Sequence, residues 1–224
     1  MRPPRDTERR AAKLWLQLRP ALVLWTVLLG VNGVVALLAS GSGTATGLTW
    51  QAAATLAMAV VTLAFVVRQP GLLRPLVRRV GITDDTWWFP FALLLGIWAL
   101  MTGYTALVGL LGVEMLEYLE GFREAGWPLW SAFALISVAP AMIEEIAFRG
   151  IIQSRLEFVM RPRDALIVQA AMFSVLHMLP LVYISHFIMG LGFGVLRQKT
   201  GSIWPGVLVH MAWNAWVLVM EMAG

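Results

Sequence analysis

Apolar runs of about twenty residues recur along this 224-residue chain, and that is the length a helix needs to cross the hydrocarbon of a bilayer. Seven are expected, at roughly 20–39, 50–67, 87–111, 128–148, 164–180, 181–197 and 203–221. Within lipid the backbone must satisfy its own hydrogen bonds, and continuous runs of this length do so as helices. The fifth and sixth runs are short and meet at Leu179-Pro180-Leu181, where a proline suits a tight hairpin end. The fold class read from the sequence is thus all-α, a polytopic transmembrane bundle of about seven spans. It forms a single membrane domain over 1–224, with 1–19 as a basic tail. Composition agrees, since charged residues make up 13% of the chain, about half the share of a soluble domain.

Charge orients the bundle. With the N-terminus cytoplasmic, sixteen of the seventeen basic residues fall inside, from Arg2, Arg5, Arg9, Arg10, Lys13 and Arg19 to Arg197 and Lys199. Only Arg123 lies in an outer loop, together with Glu114, Glu117, Glu120 and Glu124. This is the positive-inside pattern, and it predicts N-in and, for seven spans, C-out. The net charge of +4 therefore reflects topology and gives no stripe for nucleic acid. The apolar run after residue 19 lacks a small-residue cleavage signal, so it reads as a retained anchor. Segment 68–85, basic with interleaved leucines and two prolines, reads as an interfacial loop along the headgroups in preference to a ligand site. No cysteine is present, which removes disulfides, thiolate metal sites and a thiol nucleophile. Size and composition point to a bacterial inner (plasma) membrane.

Against this background a few polar residues stand out. A carboxylate in hydrocarbon costs about 2.5–3.5 kcal/mol on insertion scales, yet Glu144 and Glu145 are adjacent within the fourth run. Glu145 and Arg149 are four apart, in the favourable Glu-before-Arg order on one helix face, whereas Glu144 is turned about 100° away. One carboxylate can be neutralised within the helix while its neighbour faces something else. All three histidines fall in the last three runs, and two sit in i, i+4 patterns, Phe173-x-x-x-His177 and His210-x-x-x-Asn214. His186, beside Ser185, has no partner at helical spacing and reads as structural. If the fourth helix continues to Arg155, Glu144 lies ~16 Å above that end, His177 ~20 Å from Asp164 and His210 ~10–14 Å from the inner end of its span. The groups can then meet in the inner half of the bilayer.

Glu144-Glu145-x-x-x-Arg149, Phe173-x-x-x-His177 and His210-x-x-x-Asn214, in this order on successive apolar helices, resemble the CPBP family, which includes the type II CAAX prenyl endopeptidases and bacterial Abi-type membrane proteins. The resemblance covers about residues 128–221. It implies an intramembrane glutamic endopeptidase in which Glu144 activates a water, assisted by His177. Glu145 is held by Arg149, His210 and Asn214 form the oxyanion hole, and Phe173 is a packing wall. The substrate implied is a hydrophobic peptide or protein in the bilayer, processed at a leader or a C-terminal tag. No cofactor is expected. Zinc on two histidines and a glutamate is the alternative chemistry, disfavoured because Arg149 occupies the acidic pair and Asn214 is a poor zinc ligand. The alternative function is a non-catalytic membrane partner such as a bacteriocin-immunity factor.

Overall fold

A computed structural model describes residues 6–79, 82–112 and 117–223. Arg2, Arg5, Glu114 and Gly224 of the charge and topology pattern lie outside the described residues. Among the described residues every regular element is helical: α1 (Asp6–Ala39), α2 (Thr44–Arg68), α3 (Pro70–Arg78), α4 (Trp88–Leu110), α5 (Leu119–Glu124), α6 (Leu129–Glu157), α7 (Pro162–Leu176), α8 (Tyr183–Thr200) and α9 (Trp204–Ala223). Among the described residues six elements are long and apolar enough to cross a membrane: α1, α2, α4, α6, α8 with its short lead-in from Pro180, and α9. The chain is a multi-pass integral membrane protein.

The expected fifth run forms α7, which is shorter than a full span. Pro162 opens α7 and the chain leaves the helix at His177, so its 15 residues cover ~22 Å of a hydrocarbon layer ~30 Å thick. The basic tail and the first run share one helix, since α1 is 34 residues long and carries Lys13 and Arg19 directly into the first span. Segment 68–85 is likewise not all loop. Pro70 takes the first helical position of α3, where its missing N–H costs nothing, and Leu73 and Leu76 turn inward against Ile203.

The core is organised around α6. On one side Phe148, Ile151 and Ile152 pack with Leu24 and Leu28 of α1 and with Met172, Phe173 and Leu176 of α7. A separate cluster joins Ile97 and Met101 of α4 to Phe193 and Leu196 of α8 and Val209 and Trp213 of α9. Close approach of α7 and α8 depends on Gly190: a Cβ there would lie 3.0 Å from Ala170 Cα, the small-residue contact expected between helices in lipid.

Candidate active site

Helix α6 does continue past Arg149, as the depth argument required, ending at Glu157. Its hydrogen bonding widens to the π pattern twice, over Phe133–Val138 and Glu145–Ile152. Such bulges are uncommon and gather at functional sites. Here the second begins between the two glutamates: Glu144 ends an α-helical turn and Glu145 starts the wide one.

Glu145 and Arg149 are fully buried and paired at 2.9 Å through Oε1 and Nη1. The guanidinium is held from three more directions. Nη2 donates to the Gly190 carbonyl at 3.2 Å, and the charge stands 4.5 Å from the ring centre of Phe173 and 5.1 Å from that of Phe193. Arginine suits this place because its planar, weakly hydrated charge combines hydrogen bonding with stacking on aromatic faces.

His210 of α9 joins the pair. Its Nδ1 lies 3.2 Å from Glu145 Oε1, and a carboxylate only accepts, so Nδ1 carries the hydrogen. The other nitrogen, Nε2, lies 3.9 Å from Glu144 Oε2. Phe193 stacks on the imidazole at 5.0 Å between ring centres. Across α9, Gly206 leaves the space Glu145 occupies: a Cβ on it would stand 2.9 Å from Glu145 Oε2. Both Glu144 Oε2 and Glu145 Oε2 are buried without a hydrogen-bond partner among the described residues.

Phe173 connects the remaining groups. Its buried ring meets Phe148 edge-on at 5.2 Å, His177 at 5.0 Å and His210 at 6.2 Å. His177, half-buried at the end of α7, donates from Nδ1 to the Phe173 carbonyl at 3.0 Å. It makes no hydrogen bond to Glu144 among the described residues; the imidazole facing Glu144 is that of His210. Asn214 lies one turn beyond His210, and its Nδ2 donates at 3.1 Å to the Ile136 carbonyl, inside the first π stretch. One of its two N–H groups is thereby committed.

Three groups escaped the sequence reading. His186, read as structural, has its ring 3.9 Å from that of His177, and its Nδ1 donates to the Val182 carbonyl at 3.0 Å. The hairpin at Pro180 folds α8 back on α7, a contact no i, i+4 rule contains. Gln153 and Gln169 are fully buried and donate to the Gly194 and Gly190 carbonyls at 3.3 and 2.8 Å. Gln169, inside the expected fifth run, was an available signal, whereas Gln153 falls beyond the end of the expected fourth run at residue 148.

Residues 126–216 match the family described as type II CAAX prenyl endopeptidase Rce1-like. No curated protein and no solved structure gives a match. The matched stretch, less than half of the chain, carries Glu144, Glu145, Arg149, Phe173, His177, His210 and Asn214.

Proposed function

We propose that the chain is an intramembrane endopeptidase that hydrolyses a peptide bond in a membrane-associated protein or peptide precursor, using Glu144 as the base. The observation that carries this reading is the asymmetry of the diglutamate. Glu145 is neutralised by Arg149 at 2.9 Å, while Glu144 keeps a buried, unpartnered Oε2 opposite His210 Nε2. A carboxylate that is ionised, poorly solvated and free to accept is what water activation needs.

In this scheme Glu144 takes a proton from water as the water oxygen bonds to the peptide carbon. His177 assists from the Phe173 side by orienting the water. The carbonyl electrons move to oxygen, and the oxyanion is met by Nε2–H of His210 and the uncommitted N–H of Asn214. Collapse breaks the carbon–nitrogen bond, Glu144 returns its proton to the leaving nitrogen, and a carboxylic acid and an amine depart.

The reaction proceeds without metal, because a cation on Glu145 would sit against the Arg149 guanidinium and the Asn214 amide is engaged with backbone. The substrates are leader peptides or C-terminal tags of precursors in a bacterial plasma membrane. The test compares membrane peptides of cells carrying the wild type with those carrying Glu144→Gln. A precursor should accumulate in the variant and be cleaved when purified wild-type protein in liposomes is added, with a rate loss of about 10³-fold for the variant. Cleavage by Glu144→Gln at a rate near wild type would sink the base assignment.

A further inference from the structure

Arginines gather at one end of the bundle, and a cavity of about 490 Å³ opens among them, with Leu76, Arg79, Pro162, Arg197 and Gln198 in its wall. Its hydrogen-bonding capacity is lopsided. Glu157, the one carboxylate of the lining, already accepts from Arg197 Nη1 at 2.5 Å, Gln198 Nε2 at 3.0 Å and Gln153 Nε2 at 3.1 Å. Arg197 Nη2 is spent on Ser154 Oγ at 2.6 Å, but its Nε is buried with no partner. The Arg79 guanidinium makes no hydrogen bond or ion pair among the described residues. The cavity's one carboxylate is therefore engaged while the exposed Arg79 guanidinium keeps its donors, a lining that suits an anion.

The turn at the end of α8 keeps this arrangement open. Gly201 adopts φ +62°, and a Cβ there would stand 3.0 Å from Arg79 Nη1. Arg79 is not required as a counter-charge to the carbonyl end of α8, since Arg197 and Lys199 already occupy the last turn of that helix. Pro162, the first residue of α7, brings the positive end of a 15-residue helix dipole to the same rim. The apolar wall of Leu76 and Pro162, and the position at the ends of spanning helices, fit a headgroup that stays attached to its acyl chains.

We propose that this cavity binds the phosphate of an anionic phospholipid headgroup, with Arg79 and Arg197 as its donors. Occupancy pins α3, which is tied to the start of α9 by Ser202 Oγ donating to the Leu76 carbonyl at 3.1 Å and Trp204 Nε1 to that of Val77 at 2.7 Å. Helix α3 in turn bears on the glutamate helix: a Cβ at Gly150 would lie 2.6 Å from Leu73 Cδ1. The lipid therefore steadies the wide turn that begins at Glu145.

The experiment uses the full chain in nanodiscs of phosphatidylcholine, with and without phosphatidylglycerol, and in detergent with inorganic phosphate. Phosphatidylglycerol should raise Tm by about 3–5 °C, and native mass spectrometry should retain one phosphatidylglycerol per chain. Arg79→Gln, a change at an exposed side chain, should weaken that retention about tenfold. Arg163→Gln, an exposed arginine outside the cavity wall, should leave it intact. Equal losses in both variants would mean diffuse surface attraction, no loss in Arg79→Gln would mean no site, and full stabilisation by inorganic phosphate alone would assign the cavity to a soluble anion; each overturns the proposal.

Discussion

The first three spanning helices and the last three are all apolar enough to cross a membrane, yet the first three have mean hydropathies of 1.9 to 2.3 against 1.3 to 1.5 for the last three, and the two groups are unlike in packing. In α1, α2 and α4 between 11 and 17% of the spanning window is buried inside the protein, against 33 to 39% in α6, α8 and α9. The polar residues divide the same way. Thr55 and Thr62 are the buried polar side chains of the first group, whereas the second region, with α7, buries Glu145, Arg149, Gln153, Gln169, Ser174 and His210. Apolar character therefore says only that a segment sits in lipid. What separates anchor from machinery is the polar group kept away from lipid, because in hydrocarbon such a group persists only with a partner.

The comparison is tested most severely at Arg149. Removing one member of a buried ion pair strands its partner and costs about 3–5 kcal/mol. Arg149→Ala should thus lower Tm in detergent by roughly 10 °C, while Leu95→Ala, at a lipid-facing position of α4 that is 66% exposed, should change stability by no more than about 0.5 kcal/mol. Equal shifts would erase the distinction between the two regions.

A smaller effect is expected from Gly206→Ala. The added methyl reaches Glu145 Oε2 at 2.9 Å, and Glu145 cannot retreat freely because Oε1 is fixed by both Arg149 and His210. Displacing a preorganised charge by a fraction of an ångström should lower kcat by about 10- to 100-fold, with a stability loss of about 1–3 kcal/mol from overpacking. Unchanged kcat in a folded variant would show that the position of Glu145 does not matter to turnover.

The same division sets how much was legible beforehand. Spans in lipid announce themselves by length, so α1, α2, α4, α6 and α9 fall close to their expected places, and the Glu145–Arg149 pair follows from i, i+4 spacing. Geometry that depends on other helices was out of reach. The π widening at Glu145 leaves no trace in periodicity, which assumes 3.6 residues per turn. The His177–His186 ring contact needs the fold of the Pro180 hairpin. Asn214 pairs with the Ile136 carbonyl, 78 residues away, because the first π stretch of α6 offers an acceptor that no side-chain motif encodes.

The anchor helices hold the machinery at a few polar points, and cutting one should cost little. Trp25 Nε1 of α1 donates to the Met172 carbonyl at 2.9 Å. Trp25→Phe keeps the apolar contact and removes this donor, so a loss of about 1 kcal/mol is expected, or 2–4 °C in Tm. A loss as large as that of Arg149→Ala would place part of the machinery in the first region.

The smallest expected effect is none, and it concerns metal. Zinc in a catalytic site takes three protein ligands at about 2.0–2.2 Å and keeps one position open. Glu144 Oε2 and His210 Nε2 are 3.9 Å apart, near enough to share an ion, but a third donor must come from Glu145, His177 or Asn214. Glu145 Oε1 is held by the Arg149 guanidinium at 2.9 Å, and a dication there meets a fixed positive charge in a medium that screens poorly. His177 keeps Nε2 free, since its Nδ1 donates to the Phe173 carbonyl at 3.0 Å, but among the described residues no three imidazole or carboxylate groups come close enough together to hold one ion, and the Asn214 carboxamide, oriented by its bond to Ile136, is better placed to donate N–H than to hold a cation. Exhaustive chelation and dialysis should therefore leave precursor cleavage by the wild-type protein in liposomes within about twofold of the untreated rate, a shift under half a kcal/mol. Elemental analysis of the active protein should find well below one metal per chain. Activity lost on chelation and restored by zinc would reverse the assignment, turning Glu144 and His210 from base and donor into ligands, and the arginine of the buried pair would then have to move for the ion to enter.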